Sequence, residues 1–122
     1  MRQHDGLFKP AMLLSAMLLG LGTAAAQDFP ADVLRGKTVF ERNCLRCHGA
    51  GGWGDGPDAA GLKVRPADFH RFSSYLKSDE ELQRTIEHGI VFSPMHAWQG
   101  QLTETDVQDV LAYIRLLSQQ GR

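Results

Sequence analysis

Cysteine is scarce in this sequence: of 122 residues only two, Cys44 and Cys47, are cysteine. A disulfide framework of the kind that holds small secreted domains is therefore excluded. A bond between these two would close a tiny loop and stabilise little. The lack of a second cysteine pair argues equally against a structural zinc site, which takes four Cys or His ligands. Neither sign of charge dominates, with 13 basic and 14 acidic residues and a formal net charge of −1. That is not the balance of a nucleic-acid-binding domain. No segment alternates apolar and polar residues over a strand's length, so the fold class is all-α with much loop. Neither carboxylate pairs nor Ser/His combinations are spaced for catalysis, so an enzyme is not indicated.

Long hydrophobic runs are also missing, with one short exception at the start. Arg2 and Lys9 flank an apolar stretch from Ala11 to Leu21, and Ala24-Ala25-Ala26 follows. A positive start, a short apolar region and small residues at a cleavage point read as an export signal over 1–26, cut before Gln27. As a membrane anchor the run is marginal, because a span needs about 20 apolar residues and Gly20, Gly22 and Thr23 dilute this one. No cysteine stands at the new terminus to carry a lipid. Residues 27–122 then form one small domain, without a membrane span once the signal is removed. Losing Arg2, Lys9 and Asp5 takes the formal charge from −1 to −2. The destination is an oxidising compartment such as the periplasm.

The two cysteines stand in Cys44-Leu45-Arg46-Cys47-His48, a CxxCH run. On a helical turn both thiols lie to one side of the backbone. Each can add to one vinyl group of a haem, and His48 can offer an imidazole nitrogen to the iron. The motif therefore reads as covalent attachment of one haem c with His48 as axial ligand. A thioredoxin-like redox pair would need a βαβ context that is absent here.

Three helical patterns follow the signal. The first runs from Asp32, a plausible N-cap, to Cys47, with Val33, Gly36, Val39, Phe40 and Cys44 near one face. Gly36 inside a helix costs about 1 kcal/mol relative to Ala, a cost that close approach of another helix would justify. Residues 49–69 are rich in glycine and contain Pro57 and Pro66, with one short turn expected at Asp58–Gly61. So few apolar side chains need a hard surface to fold on, and a haem is one. The second helix starts at Ser78, whose Glu81 completes a capping box, and stops at Gly89 after His88. Leu82 and Ile86 form its inner stripe. The third starts at Thr103 with Asp106 in the same role and carries Val107, Val110, Leu111, Ile114 and Leu117 inward, with Gly121 as its stop.

Past residue 26 there is one methionine, Met95, in the loop Ser93-Pro94-Met95-His96-Ala97-Trp98. A soft thioether on a proline-stiffened loop suits the second axial position, and Met/His ligation raises the potential. His96 next door is the chief alternative and would give a bis-His, lower-potential iron. His88, at a helix C-terminus, and His70, read as solvated surface in a polar loop, are weaker. Trp98 suits packing on the haem edge.

Taken together, these residues resemble the monohaem class I cytochromes c, and bacterial haem-c domains of haem-copper oxidase subunits in particular. The resemblance covers essentially all of 27–122. It rests on Gly36-x-x-x-Phe40, Cys44-x-x-Cys47-His48-Gly49, Gly54-Asp55-Gly56-Pro57, Ala60-Gly61-Leu62, Pro66-Ala67-Asp68-Phe69, Met95-x-Ala97-Trp98 and Val110-Leu111-Ala112-Tyr113-Ile114. It implies a small class I cytochrome c fold, three main helices and Gly/Pro-rich loops around one covalent haem. It implies thioethers at Cys44 and Cys47, axial His48 and Met95, and Gly36 and Phe40 against the last helix near Tyr113. Pro57 would be the proline whose carbonyl orients the proximal imidazole. The residue after the ligand methionine is commonly proline in such relatives and is His96 here. The implied function is single-electron transfer between redox protein partners in the periplasm, by a monomer or a loosely bound subunit. A haem-c subunit of a larger dehydrogenase or oxidase, or a gas-binding haem protein, are the alternatives.

Overall fold

The computed structural model describes residues 30–121, so the segment 1–26 expected to be an export signal lies outside the described residues. Its helices are α1 (Val33–Asn43), α2 (Leu45–His48), α3 (Phe72–Tyr75), α4 (Asp79–His88) and α5 (Glu104–Ser118), with a 3-10 turn at Ala59–Gly61. Among the described residues there is no β-strand, only an isolated bridge between Gln99 and Leu102.

Local chemistry explains where the helices start. The Asp32 carboxylate accepts from the N–H groups of Leu34 (2.9 Å) and Arg35 (3.1 Å), which would otherwise be orphaned. Ser78 with Glu81, and Thr103 with Asp106, each form a reciprocal capping box. Two expected boundaries shift. The single helix expected over 32–47 divides at Cys44, whose φ of −116° departs from helical values before the chain rewinds as α2. The last helix ends at Ser118 rather than at Gly121, because Gln119 stays right-handed and donates back to Leu116 and Leu117. Helix α3 was not anticipated; it is a single turn with no side-chain cap.

Helices α1 and α5 cross at the centre. Gly36 makes this possible, since a Cβ there would fall on the carbonyl oxygen of Asp109 in α5. Phe40, fully buried, sits one turn further on. Its ring meets Tyr113 edge-on at 5.4 Å and Phe69 at 6.3 Å, a preferred aromatic geometry. Val39, Ile86, Val107, Val110, Ile114 and Leu117 complete the core. Burying one such aliphatic side chain is worth about 1.5–3 kcal/mol. The one fully buried charged side chain among the described residues is Asp109. It accepts from the Asp32 backbone N–H (2.7 Å) and from the Arg35 guanidinium, so the start of α1 is tied to α5.

Candidate haem-binding site

A cleft opens beside this core, lined by Cys44, Cys47 and His48 around α2 and by Pro94, Met95, His96 and Trp98 of the loop after α4. It holds about 1200 Å³ of space between protein atoms, counting the solvent at its open mouth. Leu62, Val64, Phe69, Leu82, Ile86, Ile90 and Ile114 make its walls largely apolar, and Arg65 and Lys77 are its two ammonium or guanidinium groups. Among the described residues, no carboxylate lines it.

The proximal side is set by α2 and the glycine-rich loop. Both cysteines are free thiols. Burial pushes the Cys44 thiol up to about 12, with neighbouring Cys47 adding to the effect, as an apolar wall should. His48 Nδ1 lies 3.2 Å from the carbonyl oxygen of Ala67. Burial lowers the pKa of this imidazole, and the Ala67 carbonyl partly opposes that. Phe69 stacks on the His48 ring at 4.8 Å with 19° between planes. Segment 66–69 gets this close because glycines give way to it. A Cβ at Gly54 would stand 2.6 Å from the Pro66 carbonyl oxygen, and one at Gly52 would stand 2.6 Å from the Phe69 ring. Both glycines also have positive φ, 72° and 75°, which side chains disfavour.

The Ala67 carbonyl is thus the group that meets the His48 ring, a part that the family resemblance gives to Pro57. Pro57 is exposed and lies outside the cleft lining. The Asp58 N–H that follows it bonds the Arg46 carbonyl instead (2.9 Å), which keeps this corner against the outer side of α2. His70 also departs from expectation. Its side chain is 11% exposed, and its ring stacks on Trp53 at 3.4 Å and 6°. Neither it nor His88 lines the cleft.

The loop after α4, which brings Met95 to the cleft, is pinned at both ends. The Ile90 N–H donates to the Met95 carbonyl (2.9 Å), and the Trp98 and Gln99 N–H groups donate to Ile86 and Glu87 (3.1 and 3.0 Å). Ser93 Oγ accepts from the Met95 N–H (3.1 Å). Met95 is half-buried and packed against the core with Trp98, while His96 is exposed and leans on Trp98 at 4.3 Å.

This donor set fits a covalently held porphyrin. Two thiols, an imidazole and a thioether line one cleft together with apolar surfaces. Such a fold and site define the c-type cytochromes. The family model described as cytochrome c oxidase, cbb3-type, subunit III matches residues 31–114, and the chain belongs to this family of haem-c proteins. It is 32% identical over 99 residues to cytochrome c6 of Thermosynechococcus vestitus, covering 81% of this chain and 80% of that one. It is 34% identical over 90 residues to the cbb3-type cytochrome c oxidase subunit FixP of Azorhizobium caulinodans, covering 68% of this chain but 28% of FixP. Among solved structures, the KustC0563 c-type cytochrome superposes with a TM-score of 0.56 at 25% identity, over 67% of this chain and 95% of that one. The class I fold and the single covalent haem c expected from the sequence are borne out, and with them a place in electron transfer. Among the described residues, no helix is long and apolar enough to cross a membrane.

Proposed function

We propose that this protein is an exported, monohaem single-electron carrier, joined to its haem through Cys44 and Cys47, with His48 and Met95 as axial ligands. The observation that supports this reading is that these four side chains line one cleft. The haem supplies the ferric–ferrous couple. Everything else falls to the chain. Residues Cys44 and Cys47 fix the ring, Ala67 orients the His48 imidazole, and Phe69 stacks against it. Met95, held by its backbone contacts to Ser93 and Ile90, supplies a ligand that need not move when an electron does. Arg65 and Lys77 bring positive charge to the cleft wall, of the sign that balances haem propionates.

The start of the sequence supports export to the periplasm, where thioether bonds can be made. Exposed apolar residues flank the cleft-lining ones: Phe72, Tyr75 and Leu76 beside Ser74 and Lys77, and Val91 and Phe92 beside Ile90. Such patches mark interaction surfaces, in keeping with docking to redox protein partners. Nothing in the cleft calls for a substrate or a general base, so we read the chain as a carrier and not an enzyme. FixP, a subunit matched along part of its length, makes the haem-c subunit of a larger complex the second reading.

The test is to express the full chain with a c-type maturation system, denature the product and weigh it. The expected mass is the polypeptide from Gln27 plus one haem. A product with the mass of the bare polypeptide would overturn the attachment.

A further inference from the structure

The Ala67 carbonyl that meets His48 belongs to the planar peptide unit joining Ala67 to Asp68, so ψ of Ala67 and φ of Asp68 together set where that oxygen points. Asp68 is unusually constrained for a loop residue. Its Oδ1 accepts from the His70 backbone N–H (3.0 Å), closing an Asx turn, and lies 3.2 Å from His70 Nδ1. Its own carbonyl accepts from Ser74 Oγ (2.8 Å) and from the Arg71 N–H (3.3 Å). Arg71 Nε stands 3.7 Å from its Oδ2. The His70 ring is clamped in turn by Trp53, and its buried Nε2 has no hydrogen-bond partner among the described residues. Among those residues the ring's polar contact is the one to Asp68. On the far side of Ala67, Gly54 backs the Pro66 and Ala67 carbonyls.

We propose that Asp68 is a positioning residue for the axial imidazole: the turn it builds with His70 and Ser74 aims the Ala67 carbonyl at His48 Nδ1 and so sets the ligand's basicity. The proposal rests on His48 being the proximal ligand. A firm acceptor on the outer ring nitrogen makes an imidazole a stronger donor to iron. Stronger donation favours the ferric state and lowers the potential. Loosening the Asp68 turn should therefore weaken the Nδ1–H bond and raise the potential. The effect differs from that of the carboxylate charge alone, which acts without disturbing the hydrogen bond.

Nuclear magnetic resonance of the reduced holoprotein separates the two. The observables are solvent exchange of the axial imidazole N–H and, in parallel, the midpoint potential. Asp68→Ala should speed that exchange about tenfold, the scale of one hydrogen bond lost, and raise the potential. Asp68→Asn keeps the turn's acceptor, so exchange should return close to the parent rate while the charge is gone. Ser74→Ala removes a clamp without changing charge and should also speed exchange and raise the potential. Parent-like exchange in both Asp68→Ala and Ser74→Ala would overturn the proposal, as would equal potential shifts in Asp68→Ala and Asp68→Asn with exchange unchanged. If the haem-shifted imidazole of the parent protein assigns to a residue other than His48, the ligand reading fails first, before any variant is made.

Discussion

Gly36 of α1 lies against the carbonyl of Asp109 in α5, so closely that the two backbones leave no room for a methyl group. An alanine at 36 would improve helix propensity by about 1 kcal/mol. The atom it would strike is backbone, which cannot rotate away, and overpacking of this kind costs about 1–3 kcal/mol. The packing term wins. Gly36→Ala is expected to lower the denaturant midpoint of the holoprotein, and Gly36→Val to lower it further. An unchanged or raised midpoint in Gly36→Ala would mean that the helices can part at little cost.

Asp109 holds the same crossing by a second means. Its buried carboxylate bonds the Asp32 N–H and the half-exposed Arg35 guanidinium, and the hydrogen bond to the carboxylate raises the pKa of that guanidinium. Hydrogen bonds to charged groups are worth about 1.5–3 kcal/mol. Asp109→Ala, which strands a backbone donor, is expected to destabilise by about that much in equilibrium unfolding. Asp109→Asn should lose less, because an amide oxygen can still serve the Asp32 N–H. Equal losses in the two variants would assign the whole effect to the Arg35 pair.

Much of this architecture was legible in the sequence because it is built from short-range rules. Ser78 with Glu81 and Thr103 with Asp106 announce their helices within four residues, and Gly36 inside a helix signals close packing. The identity of the His48 acceptor was not legible in the same way. Pro57 and Ala67 both sit in loops without periodicity, and the choice between them depends on how glycines at 52 and 54 admit segment 66–69. His70 looked like solvated surface for the same reason. Its burial comes from a ring 17 positions back, Trp53, that no local pattern connects to it. The break at Cys44 is likewise a tertiary effect inside an otherwise helical pattern.

The cap of α5 gives a pH dependence with a definite sign. The Thr103 hydroxyl donates to Asp106 Oδ2 (2.7 Å), and the Thr103 N–H adds a second bond (3.0 Å). Together they hold this carboxyl below its ordinary 3.8. A depressed folded-state value means that the stabilisation is complete above pH 3.8 and fades as the pH falls through the lower value. Thr103→Ala is expected to cost about 1 kcal/mol near neutrality, and the gap between variant and parent should narrow in strong acid. A gap that stays constant from neutral to acid pH would remove Asp106 from the account.

The distal ligand decides what kind of haem protein this is. Met95 is half-buried on a loop tied to both Ile86 and Ile90, whereas His96 is exposed and leans on Trp98. A thioether favours ferrous iron, so Met95→Ala is expected to lower the midpoint potential and open the sixth position, while His96→Ala should shift the potential much less. The reverse order would make the iron bis-His. The parent protein offers a further check. A carrier keeps both ligands in either oxidation state, so that little reorganises when an electron moves. A gas-binding protein must release one. The reduced parent protein at neutral pH should therefore keep its visible spectrum for minutes under carbon monoxide, and reduced Met95→Ala should change at once. Prompt stoichiometric binding by the parent would show a sixth position that opens on its own, and the carrier reading would give way to a gas-binding one.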